Sequence, residues 1–181
     1  MAAFPQAQYL LFEPQPVHNL PLDDFAERHK PRVHLVKQAV GASIGYTFFD
    51  NSDPFGGALA DCEEGATIKV PMTTIDAAVS AAALAPPYLL KLDTHGYERS
   101  ILAGAVQTLD HCEALVIEAY NHRITNEAFL FWELCSFLAE KGFRVVDLVD
   151  VMHRGYDDSL WQMDLIFVKS TWPGFAYTSY E

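Results

Sequence analysis

The sequence of 181 residues has few basic side chains, few cysteines and no long apolar run. Lysine and arginine number 12 against 24 aspartates and glutamates, for a net charge of −12, and the basic residues nowhere form a run. An acidic surface repels phosphate backbones, so nucleic acid is excluded as a partner, and the charge itself needs no reading beyond solubility. The 3 cysteines, Cys62, Cys112 and Cys135, stand far apart. They make neither a C-x-x-C pair nor a zinc spacing, and scattered free thiols suit a reducing compartment. No apolar stretch reaches the roughly 20 residues of a membrane span. The start, Met1-Ala-Ala-Phe-Pro, lacks the basic and apolar regions of a signal peptide. The expectation is a cytoplasmic protein with no membrane partner. No G-x-G-x-x-G occurs anywhere in the chain, so a dinucleotide fingerprint is also missing.

What is present is a globular composition, 50% hydrophobic and 20% charged, with a length that fits one domain over residues 1–181. Tyr9-Leu-Leu-Phe12 is an apolar strand stopped by Glu13-Pro14-Gln15-Pro16, because proline cannot continue a central strand. Leu22–His29 has helical spacing, and Val33–Val40 reads as the next strand, broken by Gly41. Tyr46–Phe49 and Thr67–Val70 flank a turn-rich stretch with Gly56-Gly57, which reads as an antiparallel insertion. Thr74–Leu84 is alanine-rich and helical, and Pro86-Pro87 follows it. Tyr88–Leu92 is a strand, Glu98–Leu109 a helix, and Leu115–Ile117 a buried strand ending at Glu118. Asn126–Lys141 is an amphipathic helix that Gly142 caps. Phe143–Val151 and Asp164–Lys169 are strands that close as an antiparallel hairpin near Gly155–Ser159. Strands alternating with helices predict an α/β fold with a mostly parallel sheet and an antiparallel terminal hairpin.

In such sheets ligands bind at the carboxyl ends of the strands. Polar residues stand at nearly every such end: Glu13, Gln38, Asp93 with His95, and Glu118 with Asn121. A carboxylate after the second strand of a nucleotide-binding fold offers two oxygens to the two ribose hydroxyls, which makes Glu13 a cofactor candidate. Lys91 lies in a strand that otherwise reads as buried and needs a partner, and Asp93, two residues on, shares its face. Gly96 permits a tight turn, and Glu98 stands where the following helix begins, a favourable place for a carboxylate. A single carboxylate after a strand is most often a cap or turn former, so the set carries more than any member. His122-Arg123 reads as surface loop, and Trp132 and Trp161 as core.

The segment Lys91-Leu-Asp-Thr-His-Gly-Tyr-Glu-Arg-Ser-Ile-Leu-Ala-Gly-Ala105 resembles the FkbM methyltransferase motif, roughly K-[IL]-D-x-x-G-x-E-x-x-[IV]-L-x-G-A. Further similarities follow in order from about residue 7 to about 170: YLLFEPQP, VKQAVGASIG, VPMTTIDAAV, VIEAYN, FWELCSFLAEKGFRVVDL and QMDLIFVKS. The resemblance implies a Rossmann-like class I methyltransferase fold that uses S-adenosylmethionine, often to methylate a hydroxyl. It would give Glu13 to the ribose, Gln38 and Ala39 to the surroundings of the adenine, and Asp93 to the reaction centre beside the donor methyl. His95 and Glu118, with Asn121, would line the acceptor side. The family's first strand and its glycine-rich loop would precede Met1, leaving an open sheet edge through which copies of the chain could associate.

The chemistry then expected is displacement at a sulfonium methyl, with His95 as base and Asp93 as its partner or as the base itself. The spacing demands no metal, although Asp93, Glu118 and Asn121 offer oxygen donors to Mg²⁺. The acceptor would be a saccharide or another small molecule. A second reading is a non-catalytic binding or dimerisation module. A nicotinamide-dependent oxidoreductase fits less well, since it too needs a glycine fingerprint.

Overall fold

The computed structural model describes residues 4–52, 59–60, 65 and 67–180. Gly56-Gly57 and Cys62 lie outside the described residues. The chain groups into two compact units, Met1–Leu84 with Ser100–Val106, and Ala85–Arg99 with Gln107–Glu181.

In the first unit, β1 (Tyr9–Phe12) is followed by a 3-10 turn over Pro16–His18 and by α1 (Asn19–Arg28). The helix starts three residues ahead of the sequence expectation because the turn leads straight into it. β1 pairs in parallel with β2 (Val33–Val36), from Tyr9↔Val33 to Phe12↔Val36. The strand expected over 33–40 is two strands, because the chain changes sheets at Lys37-Gln38. β3 (Ala39–Val40) pairs with β6 (Thr67–Thr73), not with β1. The second sheet has the order β3-β6-β4-β5, with β4 at Gly45–Asp50 and β5 at Leu59–Ala60. Its β4 pairings are antiparallel, as the turn-rich insertion predicted. Ala39, Phe49 and Val70 form its buried centre, with Ile68 and Met72 against them. Helix α2 (Ile75–Ala81) begins where Thr74 Oγ1 accepts the Ala77 N–H at 3.1 Å.

In the second unit, β7 (Tyr88–Leu92) leads to α3 (Glu98–Ala103), whose residues from Ser100 on, with Gly104 and Val106, belong to the first unit, and α4 (Val106–Asp110) lies in the second from Gln107. The single helix expected over 98–109 is broken at Gly104. A side-chain Cβ there would overlap the Gly41 carbonyl oxygen, and Gly104 O accepts the Asp76 N–H at 3.1 Å, so its backbone serves a neighbour instead of a continuous helix. β8 (Cys112–Tyr120) runs two residues past Glu118, the end expected from sequence. Helix α5 (Phe131–Glu140) starts later than expected. Leu130 bridges Tyr120, and its N–H donates to Glu133 Oε2 at 2.9 Å, which fixes the helix start there. Gly142, at φ +80°, ends it. β9 (Phe143–His153) and β10 (Leu160–Lys169) form the expected hairpin. A 3-10 turn over Pro173–Ala176 follows.

The sheet order here is β7-β8-β10-β9. β7·β8 is parallel, while β8·β10 and β10·β9 are antiparallel. The α/β class therefore holds, but the expectation of a mostly parallel sheet gives way to mixed sheets. Among the described residues parallel pairing is confined to β1·β2, β3·β6 and β7·β8. The β9·β10 hairpin is closed directly by a short turn, and β10 then pairs antiparallel with β8, whereas each parallel pair needs a crossover. β7 is an edge strand, which corrects the reading of it as buried: Leu89 and Lys91 are exposed and only Leu92 is fully enclosed. The central β8 is the opposite, with Leu115 and Ile117 completely buried. On the outer strand β9, Val146, Leu148, Val149, Val151 and Met152 are exposed. No described helix is long and apolar enough to cross a membrane.

Candidate functional site

Three elements of the second unit bring polar side chains to one place: the carboxyl end of β7, the loop that follows it, and the last residues of β8 with the strand beside them. In a parallel pair both strands present their carboxyl ends to the same side. The register Leu92↔Ile117 puts Asp93 and Glu118 on that side together. The antiparallel register Asp164↔Glu118 and Gln162↔Tyr120 brings two β10 residues to the same edge.

The loop from Asp93 to Glu98 is held from within. Glu98, buried at 3% exposure, accepts the Gly96 N–H and the Thr94 hydroxyl through Oε1, each at 3.0 Å. Thr125 Oγ1 donates to Gly96 O at 3.0 Å from the other side. Gly96 takes φ +95°, a conformation suited to glycine, and His95 takes φ +51°, unusual for a residue with a side chain. Fastened this way, the loop directs His95 Nε2 towards both carboxylates: 3.8 Å from Glu118 Oε2 and 4.0 Å from Asp93 Oδ1. These separations are too long for hydrogen bonds from the imidazole to either carboxylate.

Each carboxylate is oriented by hydrogen-bonding partners, Asp93 on its far oxygen and Glu118 on both, Tyr120 sharing with His95 the oxygen Oε2. Lys91 Nζ donates to Asp93 Oδ2 at 2.9 Å, the pairing expected from sequence, and lies 4.0 Å from Asp164. Glu118 accepts the Tyr120 hydroxyl at 2.6 Å and the Gln162 amide. The hydrogen bond from Lys91 holds the Asp93 carboxyl below its usual range even though partial burial opposes it. Burial pushes the Glu118 carboxyl up, the Tyr120 hydrogen bond works against this, and the charge of Asp93 adds to the rise. Burial and the Glu118 contact push the Tyr120 phenol up as well. Burial also raises Glu98, against its backbone and side-chain hydrogen bonds. Lys91 loses by burial but gains more from Asp93, Asp164 and Glu118, and ends above its ordinary value. The site thus sets two carboxylates, shifted in opposite directions by their surroundings, on either side of an imidazole.

Of the residues expected from sequence, Asp93, His95 and Glu118 meet here. Asn121 does not join them. Its Nδ2 donates to Leu160 O at 3.2 Å and its backbone N–H to Trp161 O at 2.9 Å, so it fastens β8 to the hairpin. Glu13, Gln38 and Ala39 belong to the first unit. Glu13 follows β1, its N–H donates to Val36 O at 3.0 Å, and its Oε1 accepts the Gln15 N–H at 2.7 Å. With His18, Pro21, Leu22, Phe25 and Arg28 it lines an open cleft of about 450 Å³. Gln38 is half-buried at the bend between β2 and β3. Ala39 is buried with Phe49 and Val70 and pairs with Met72 of β6, so its side chain faces the core of the first unit. Sequence reasoning missed Tyr120, Gln162 and Asp164. Their signal was the predicted antiparallel closing strand, whose register determines what faces Glu118. It also missed Trp161 as a half-buried ring with His122 stacked on it, centroids 5.2 Å apart.

A model of the methyltransferase FkbM domain matches residues 38–145, more than half of the 181-residue chain. The chain belongs to the FkbM methyltransferase family. The matched span contains Asp93, His95 and Glu118 and the loop between them, while Glu13, Gln162 and Asp164 fall outside it. No curated protein and no solved structure matches the FkbM chain.

Proposed function

We propose that this FkbM protein transfers a methyl group from S-adenosylmethionine to a hydroxyl oxygen of a saccharide or other small molecule, on a Rossmann-like sheet of the class I type. The observation that carries the proposal is the convergence of Asp93, His95 and Glu118 at the strand ends, inside the span that matches the family. The residues present suit the donor at its ribose end. Glu13 offers a carboxylate at the end of a parallel strand, beside a cleft whose Pro21, Leu22 and Phe25 supply apolar surface for an adenine. S-adenosylmethionine, when bound, supplies an electrophilic methyl on a sulfonium sulfur.

The chain's own residues have the rest of the work. An acceptor hydroxyl is a poor nucleophile until its proton is drawn away. His95 Nε2 is placed to receive that proton, and Asp93 and Glu118 on either side stabilise the imidazolium that results. Lys91 keeps Asp93 ionised, and Tyr120 with Gln162 fixes the orientation of Glu118. Glu98 and Thr125 keep the loop from shifting, which matters because a displacement of about 1 Å costs on the order of 100-fold in rate.

The test is transfer of a labelled methyl group to a panel of hydroxylated sugars and small alcohols, by the wild-type protein and by Asp93→Ala. Transfer is expected with the wild type and its loss is expected in the variant, with circular dichroism unchanged. No transfer to any hydroxyl would overturn the reading, and undiminished turnover by Asp93→Ala would remove Asp93 from the site.

A further inference from the structure

Three donor atoms that converge on one place, two on hydrogen-bonded carboxylates and one on a fastened loop, form an arrangement with a use beyond proton transfer. Asp93, His95 and Glu118 each present one ligand atom, and all three atoms lie within 4.8 Å of one another. Around an ion about 2.1 Å from each donor, tetrahedrally placed ligands stand roughly 3.4 Å apart. The observed His95–Glu118 and His95–Asp93 separations, 3.8 Å and 4.0 Å, need only small rotations of the more exposed Asp93 and His95 side chains. We propose that Asp93 Oδ1, His95 Nε2 and Glu118 Oε2 are the protein ligands of a divalent first-row transition-metal ion.

The outer contacts are those a metal site needs. Ligating carboxylates are held by hydrogen bonds on their far oxygens or lone pairs. Here Lys91 holds Asp93, and Tyr120 and Gln162 hold Glu118. The loop bearing His95 is tied by Glu98 and Thr125, which holds the His95 backbone at φ +51° with its imidazole near the carboxylates. The charge balance favours a cation as well. Asp93 and Asp164 share one ammonium, that of Lys91, while Glu118 lies against His95.

The identity of the donors selects the ion. With Asn121 turned to the hairpin, the site is not the all-oxygen set that Mg²⁺ prefers. One imidazole nitrogen with two carboxylate oxygens, and no thiolate, suits Mn²⁺, Fe²⁺, Co²⁺ or Zn²⁺. Three protein ligands leave coordination positions open. If the methyl-transfer reading holds, on which this role rests, an open position takes the acceptor oxygen. Coordination lowers the hydroxyl's pKa, the O–H bond breaks with its electron pair left on oxygen, and the proton goes to water. A proton on His95 and a bound cation are thus alternative occupants of one place.

The experiment is a titration of the chelator-treated full chain with MnCl₂, followed by the electron paramagnetic resonance signal of free Mn²⁺ and by broadening of the histidine ring signals in nuclear magnetic resonance. One saturable site per chain at micromolar concentration is expected, with selective broadening of His95. His95→Ala and Asp93→Asn should each weaken binding at least about 10-fold, and Gln162→Leu about 10-fold through Glu118, whereas His122→Ala should leave it unchanged. Asp93 is exposed, so Asp93→Asn keeps the test valid if His95→Ala fails to fold. Absence of saturable binding would overturn the proposal. So would unchanged affinity in Asp93→Asn, or Mg²⁺ displacing Mn²⁺ at equal concentration. Methyl transfer without Mn²⁺ binding would sink this site alone, and Mn²⁺ binding without methyl transfer would sink the transfer reading alone.

Discussion

Replacing Gly96 by alanine should cost more stability than the same replacement at Gly142, although both glycines sit at positive φ, +95° and +80°. The left-handed backbone costs a residue with a Cβ about 1–2 kcal/mol, and this applies at both positions. The surroundings differ. A Cβ on Gly142 meets nothing within 4 Å. A Cβ on Gly96 would stand 3.0 Å from Thr125 Oγ1 and 3.1 Å from both Ile124 Cγ1 and Thr125 Cγ2. Thr125 cannot simply retreat, because its hydroxyl donates to Gly96 O, a bond worth about 1 kcal/mol. Overpacking adds about 1 kcal/mol or more, so Gly96→Ala should lose about 3 kcal/mol and Gly142→Ala about 1–2 kcal/mol. Urea unfolding followed by tryptophan fluorescence reads the difference. With a slope of about 2 kcal/mol per molar urea, the midpoints should fall by about 1.5 M and about 0.5–1 M. Equal shifts at the two positions, or a larger one at Gly142, would refute the claim that the loop bearing Asp93 and His95 is clamped against Thr125.

Glu98→Gln keeps an acceptor for Gly96 and Thr94 but cannot ionise. Burial raises the wild-type carboxyl above its ordinary 4.5, so wild-type stability falls as pH rises from that value through the folded-state pKa. The variant's melting temperature should therefore exceed the wild type's at pH 8 and not at pH 4, and a gain of equal size at both would contradict the burial argument. Glu13→Ala should weaken S-adenosylhomocysteine binding by about 1–3 kcal/mol through lost hydrogen bonds, measured by calorimetry, and unchanged affinity would take Glu13 out of the site.

The local signals in the sequence carried far. Tyr9–Phe12 and Tyr88–Leu92 were legible as strands from their apolar runs and the residues that end them. The antiparallel hairpin was legible from two strands with only a turn between them. Lys91 and Asp93 declared their pairing through their spacing on a strand. What failed depended on partners distant in sequence. Nothing local marks Lys37-Gln38 as the point where the chain leaves β1 for β6, because both halves of 33–40 are good strand. Gly104 looks like one tolerated glycine in a helix until Gly41 is seen against it. Residues 126–129 have helical spacing, yet the bridge from Leu130 to Tyr120 and the Glu133 cap hold the helix start beyond them. In the site, Asp93 and His95 were visible because one short segment carries them. Tyr120, Gln162 and Asp164 were not, since register across β8 and β10 brings them to Glu118.

The most direct measurement of the central claim is calorimetric titration of the purified chain with S-adenosylhomocysteine. The account predicts saturable binding at micromolar concentration with one molecule per chain, weakened in Glu13→Ala. A folded chain that gives no binding heat at any accessible concentration would contradict it.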